Sequence, residues 1–242
     1  MDTMTEVTIF LVGGAVRDHL MGMASNDWDF SVQAESFDAM REWMIENDFE
    51  IFLETPQYHT IRARRKGTWH FNQFDLTNKG FDFVLARQDG EYSDGRRPDE
   101  VTPGTILDDL ARRDFTINAM AINEVGLVID PFDGQSAIKS ETISCVGDIT
   151  RLKEDGLRML RAIRFAIQLD FILSTDVFMF LANPDNEKYL RNVSVDRIRD
   201  EMYKCFKIDT METMYYLSLF PWLANYIFTE TGLWLMPTSK TN

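Results

Sequence analysis

"LVGGAVRDHLMGMASNDWDF" (residues 11–30) decides how the first half of this chain is read. The apolar run "VTIFLV" at 7–12 reads as a buried strand that stops at Gly13-Gly14. Residues 15–22 follow as a short helix, with Ala15, Val16, Leu20 and Met21 as its apolar positions. "DWDFSV" (27–32) alternates polar and apolar residues, as a second strand does. On such a strand Asp27 and Asp29, at i and i+2, share one face, while Trp28 and Phe30 point the other way into a core. Two carboxylates on one face repel unless a cation lies between them. Mg²⁺ takes oxygen ligands, and a pair of such ions activates an attacking hydroxyl and steadies a leaving phosphate. Gly13 and Gly14 let backbone approach a ligand closely, and the helix after them, which carries Arg17 and Asp18, turns its first N–H groups toward it. A lone D-x-D or G-G also occurs at solvated strand ends and tight turns. Within twenty residues of each other they form one constellation, a phosphate seat beside a metal seat.

The surroundings extend this reading. "SFDAMREWMIEND" (36–48) has helical period with Ser36 as its N-cap. "IFLETPQYHTIRARRKG" and "FDFVLAR" add strands. Asp82 is polar within the otherwise apolar "FDFVL" and is the candidate third carboxylate; its other reading is an edge-strand charge. Residues 88–105, "QDGEYSDGRRPDEVTPGT", are rich in Gly, Pro and charge and read as a loop. Beyond about residue 150, "EDGLRMLRAIRFAIQL", "TDVFMFLAN" and "SVDRIRDEMYKCFK" are helical by period. The plan is therefore an α+β head over 1–148, an all-helical neck over 149–208, and a short helical segment over 209–242.

Composition narrows the class. With 242 residues, 45% of them hydrophobic, the chain can bury a core. No run of 18 apolar residues is present, so no membrane span is expected. The acidic start lacks the basic region of a signal peptide, and Cys145 and Cys205 alone do not make a disulfide scaffold, so a reducing, cytoplasmic setting is expected. The net charge of −14 argues against a large nucleic-acid-gripping surface but leaves room for a small basic one. "IRARRKG" (61–67) and "RMLRAIRF" (158–165) are the basic clusters.

Five stretches in order carry a resemblance. "LVGGAVRDHLMG" with "DWDF", "DDLARRDFTINAMAI" (108–122), "DPFDG" (130–134), "EDGLRMLRAIRFA" (154–166) and "SVDRIRDEM" (194–202) resemble the motifs of the tRNA nucleotidyltransferase and poly(A) polymerase family, class II. The resemblance implies a polymerase-β-like head with a mixed sheet, followed by a helical neck. It implies that Asp27 and Asp29 bind two Mg²⁺ ions, and that Arg112, Asp114 and Asn118 belong to the ribose and triphosphate shell. The residue types agree: "RRDF" offers guanidiniums to phosphate oxygens, and an Asn can serve a sugar hydroxyl or a backbone group. Asp196 stands where the family usually has Glu, and Asp133 where it usually has Gly.

At the neck, Asp155 and Arg158 lie at i and i+3 and are expected on one helix face. A carboxylate accepts from the exocyclic amine of cytosine or adenine and rejects the carbonyl that uracil and guanine present there. The resemblance assigns base choice to this pair; the residues alone also fit an ordinary helix ion pair. Arg161 and Arg164 continue the flank and, with Arg197, are candidate phosphate contacts. The implied function is template-independent addition of CMP and AMP, from CTP and ATP, to an RNA 3′ end, most concretely the CCA end of tRNA. Addition of A alone, another small-RNA acceptor, and a non-catalytic nucleotide-binding module stay open as alternatives. The 36 residues after residue 206 read as one or two helices rather than a tRNA clamp.

Overall fold

The computed structural model describes residues 7–25, 27–90 and 101–233. Two compact units divide between Lys139 and Ser140.

The first unit is built on one sheet. Its strands are β1 (Thr8–Val12), β2 (Asp29–Gln33), β3 (Phe49–Thr55), β4 (Thr60–Arg65), β5 (Phe81–Leu85), β6 (Ala121–Asn123) and β7 (Val128–Ile129). They lie in the order β7-β6-β1-β2-β5-β4-β3. Every neighbouring pair is antiparallel except β2–β5, which is parallel, so the sheet is mixed as expected. β5 alternates strictly, with Phe81, Phe83 and Leu85 buried and Asp82 and Val84 partly exposed. Phe30 of β2 is fully buried among aromatic rings, stacked on Phe83 at 5.1 Å and edge-on to Phe71 and Phe81 at 5.3 and 5.4 Å. Such a cluster buries a large apolar area and fixes the strand that carries it. Helix α1 (Gly14–Leu20) follows β1, and α2 (Phe37–Glu46) starts at Ser36, whose side chain accepts from the Ala39 N–H at 3.0 Å. Met40 and Met44, one turn apart, carry the buried face of α2. Helix α3 (Ile106–Ala111) opens with a reciprocal cap between Thr105 and Asp108. Helix α4 (Gly134–Lys139) ends the unit.

Three details differ from the sequence reading. β2 begins at Asp29, so Asp27 and Trp28 precede the strand, although Trp28 still packs on the core that buries Phe30. The flanks of the expected loop pair as short antiparallel strands, Arg87–Asp89 with Val101–Pro103; residues 91–100 lie outside the described residues. The unit boundary falls at 139/140 rather than 148. Thr142–Ile143 pair in parallel with Ile172–Leu173, which ties that stretch to the helical unit.

The second unit contains α5 (Thr150–Glu154), α6 (Leu157–Leu169), α7 (Thr175–Ala182), α8 (Glu187–Leu190), α9 (Val195–Ile208), α10 (Thr210–Leu219) and α11 (Pro221–Asn225). α6 and α9 pack together, and Arg164 of α6 donates to the buried Glu201 of α9. Breaking one side of such a buried pair costs about 3–5 kcal/mol, because the other charge is left without a partner. Cys205 is buried beside it; burial first and Glu201 next push its thiol up to about 12. Cys145 and Cys205 are both unbonded. The segment after 208 forms α10, α11 and one π-helical turn (Tyr226–Glu230); residues 234–242 lie outside the described residues. Among the described residues no helix is long and apolar enough to cross a membrane.

Candidate active site

The registers of β1, β2 and β5 bring the predicted residues of the first unit to one sheet edge. Val12, the last residue of β1, pairs with Asp29, and Asp29 pairs with Asp82. β6 starts at the same edge, where Ala121 pairs with Val12. Gly13-Gly14, Asp29, Asp82 and the 112–118 segment that leads into β6 therefore lie around one end of the sheet.

The acidic side is Asp27, Asp29 and Asp82. Neighbouring strands lie about 4.8 Å apart, so the Asp29 and Asp82 backbones are as close as two residues on adjacent strands can be. The Asp29 side chain reaches solvent, yet partial desolvation, and then the nearby Asp27, raise its carboxyl above the ordinary value; Arg113 pulls it down and Asp82 pushes it up again. Among the described residues no group of three or more His, Cys, Asp or Glu converges tightly enough to hold a metal ion. Asp82 Oδ2 is 3.9 Å from Arg62 Nη1, on the strand at its other side. The donor set fits a hard divalent cation. It offers carboxylate oxygens only, and their mutual repulsion is the charge that a cation neutralises.

The basic side grows from the glycine turn. Gly13 has φ +71°, a conformation that side chains with a Cβ rarely adopt. A Cβ placed there would lie 3.0 Å from Arg113 Nη1, so this guanidinium covers the turn. Arg113 Nη1 donates to the Asn118 carbonyl at 3.2 Å and Nη2 to Asp109 Oδ2 at 2.9 Å. Asn118 Oδ1 in turn accepts from Arg17 Nη1 at 2.8 Å, and Arg17 also donates to Asp18. Arg17 and Asn118 are both buried. Asp114 is buried as well, and its Oδ1 accepts from the Phe115 N–H at 2.9 Å. Arg112 is turned to Asp109 Oδ1, with Nε at 2.9 Å and Nη2 at 2.5 Å.

Of the two arginines in "RRDF", both of which offered guanidiniums to phosphate in the sequence, Arg113 is the one on the glycine turn and in the field of Asp29, and Arg112 lies against Asp109. Asp109 was missed altogether. Its signal lay in the spacing: an acid at i with arginines at i+3 and i+4 pairs with both on one helical turn.

The helical unit corrects the expected geometry of Asp155 and Arg158. Asp155 is extended (φ −143°, ψ 107°) between α5 and α6, so the two do not share a helix face. Gly156, itself helical in conformation, follows at a close approach: a Cβ on it would lie 2.2 Å from the Tyr189 carbonyl oxygen. Asp155 Oδ1 accepts from the Leu157 N–H at 3.0 Å, and Oδ2 accepts from Arg197 Nη2 of α9 at 2.7 Å. Arg158 Nη1 donates to Glu154 Oε2 at 2.7 Å and to the Arg151 carbonyl at 2.8 Å. Arg164 is held by Glu201 and lies over the Phe165 ring at 4.0 Å; Arg161 lies over the same ring at 5.3 Å. Asp196 is exposed and pairs with Arg199 at 2.6 Å. Arg164 and Arg197 thus link α6 and its leading turn to α9.

The CCA-adding enzyme of Geobacillus kaustophilus (strain HTA426) is 38% identical over 198 residues, which cover 81% of this chain and 44% of that protein. The chain spans less than half the length of the curated relatives it matches. Among solved structures, the Bacillus stearothermophilus CCA-adding enzyme in complex with CTP superposes with a TM-score of 0.69 at 30% identity, over 90% of this chain and 48% of that one. A tRNA nucleotidyltransferase complexed with a primer tRNA and an incoming ATP analog gives 0.71 at 26% identity, over 92% and 60%. The family model for the poly(A) polymerase head domain matches residues 9–144. That match takes in the glycine turn, the three aspartates and the 112–118 segment, and spans more than half of the sequence: this chain belongs to the poly(A) polymerase head-domain family.

Proposed function

We propose that this chain is a template-independent nucleotidyltransferase that transfers CMP and AMP from CTP and ATP to the 3′ end of an RNA, with tRNA lacking its CCA end as the acceptor. The observation that carries this reading is the pairing of Asp29 with Asp82 beside the Arg113-covered glycine turn. An acidic edge next to a basic turn suits a polyphosphate whose charge is neutralised from both sides. Relatives that this chain resembles are CCA-adding enzymes, and solved structures like it hold CTP, or an ATP analog with tRNA.

In this reading Asp27 and Asp29 hold the metal ions, which we take to be Mg²⁺, and Asp82 completes the acidic edge. Bound there, the ions supply Lewis acidity for the attacking 3′-hydroxyl and the leaving pyrophosphate. Arg17 and Arg113 orient the triphosphate over Gly13-Gly14, and Arg112 adds positive charge behind them. Asp114 and Asn118 serve the ribose side. Asp155 and Arg158 choose the base, with Arg197 fixing the carboxylate; Arg161 and Arg164 support that helix. The first unit acts as the nucleotidyltransferase head and the helical unit as the neck. The unbonded cysteines suit a reducing cytoplasm.

A labelling assay with each nucleoside triphosphate, with and without tRNA lacking CCA, tests the reading. Incorporation of C and then A on that tRNA supports it. A-only tailing makes the protein a poly(A) polymerase, label on another small RNA changes the acceptor, and binding without transfer leaves a nucleotide-binding module.

A further inference from the structure

In the first unit the proposed contacts leave one described buried charge without a part to play. Asp109, on α3, is 1% exposed, and its carboxylate bonds the two arginines that follow α3 rather than any residue of the aspartate edge. Its two oxygens are divided: Oδ1 takes Arg112 and Oδ2 takes Arg113. Burial alone would raise its carboxyl, but Arg113 and Arg112 outweigh that and hold it below the ordinary range, so it stays a charged anchor. A carboxylate is seldom buried for stability alone, because desolvation consumes most of what the ion pair returns.

Arg113 shows what the anchor achieves. It is fixed from two directions, by Asp109 at Nη2 and by the Asn118 carbonyl at Nη1. Its Nε has no acceptor among the described residues, and each Nη has a second N–H to give. The guanidinium is thus restrained but not saturated, directly over the turn at Gly13. Without Asp109, Arg113 would keep only the Asn118 carbonyl, and Asp29, whose carboxyl already feels its charge, would compete for it.

We propose that Asp109 is a positioning residue for triphosphate recognition: it holds Arg113 over the glycine turn, facing the phosphates and off the acidic edge, without touching substrate itself. This rests on the nucleotidyltransferase reading above.

The test compares equilibrium binding of CTP and CMP, with Mg²⁺ present, to the full chain and its variants. Asp109→Asn is expected to weaken CTP about tenfold, the loss of one charge-assisted hydrogen bond's worth of orientation, while CMP is little changed. The CTP-to-CMP preference therefore falls, which general structural damage would not produce. Arg113→Gln should lower the preference similarly, and the double variant should be no worse than Arg113→Gln alone. If Asp109→Asn does not fold, Asp109→Glu keeps the charge but displaces it, and a several-fold loss of preference is expected. An unchanged preference in whichever variant folds, or fully additive losses in the double variant, overturns the proposal. A wild-type chain that binds no nucleoside triphosphate instead overturns the reading on which it rests.

Discussion

Asp29 and Asp82 face each other across the one parallel strand pair of the sheet, and this register puts a third carboxylate beside the D-x-D pair. Among the described residues Asp82 makes one ion pair, a 3.9 Å contact to the half-exposed Arg62. Such a surface pair contributes little to stability. Asp82→Ala should therefore leave the melting temperature nearly unchanged and cut nucleotide transfer by roughly ten- to a hundredfold, the cost of losing a contact to a charged group. Wild-type transfer by a folded Asp82→Ala variant would remove Asp82 from the machinery.

The turn at Gly13 makes a second claim. Gly13→Ala places a Cβ in a left-handed backbone and 3.0 Å from Arg113 Nη1. The backbone strain should cost about 1–3 kcal/mol in chemical denaturation. Nucleotide binding should fall as well, because Arg113 must shift. An alanine variant with both wild-type stability and wild-type CTP affinity would mean that the turn is not strained and the guanidinium is not seated there.

Acid sensitivity follows from Asp109. Its folded carboxyl lies below the ordinary value of 3.8, so the ion pairs stabilise the fold fully above that pH. The contribution is lost as pH falls through the folded value. The stability gap between wild type and a folded Asp109→Asn variant should therefore be widest near neutrality and narrow below pH 3.8. Denaturation curves across that range measure it; a gap independent of pH would show that Asp109 is not charged in the fold.

How much of this was legible in the sequence depends on the range of the interaction. The alternation in "FDFVL" marked Asp82 as the outward position, because strand period is a local property. The Ser36 cap was readable for the same reason. The choice between Arg112 and Arg113 was not, since it depends on where α3 ends against a glycine turn about a hundred residues earlier. The break at Asp155 was hidden in a similar way: helical period runs straight through "EDGLRML", whereas the extended Asp155 and the close-packed Gly156 meet Arg197 and the Tyr189 backbone, both far along the chain.

That break sharpens the claim about base choice. Asp155 is oriented by Arg197 and by the first turn of α6, not by Arg158. Asp155→Ala should weaken C and A and relax the rejection of U and G, lowering the CTP-to-UTP incorporation ratio by roughly ten- to a hundredfold. Arg197→Ala should move the ratio in the same direction by less. A uniform fall for all four nucleotides with the ratio unchanged would make Asp155 a structural link only.

The central claim is that the aspartates at the sheet edge carry nucleotide transfer to an RNA end. The most direct measurement is the rate at which label from CTP enters tRNA lacking its CCA end, with Mg²⁺, for wild type and Asp29→Ala side by side. The account predicts steady incorporation by wild type and none above background by a variant whose fold is intact. Near wild-type turnover by Asp29→Ala, or no incorporation by the wild-type chain, would contradict it.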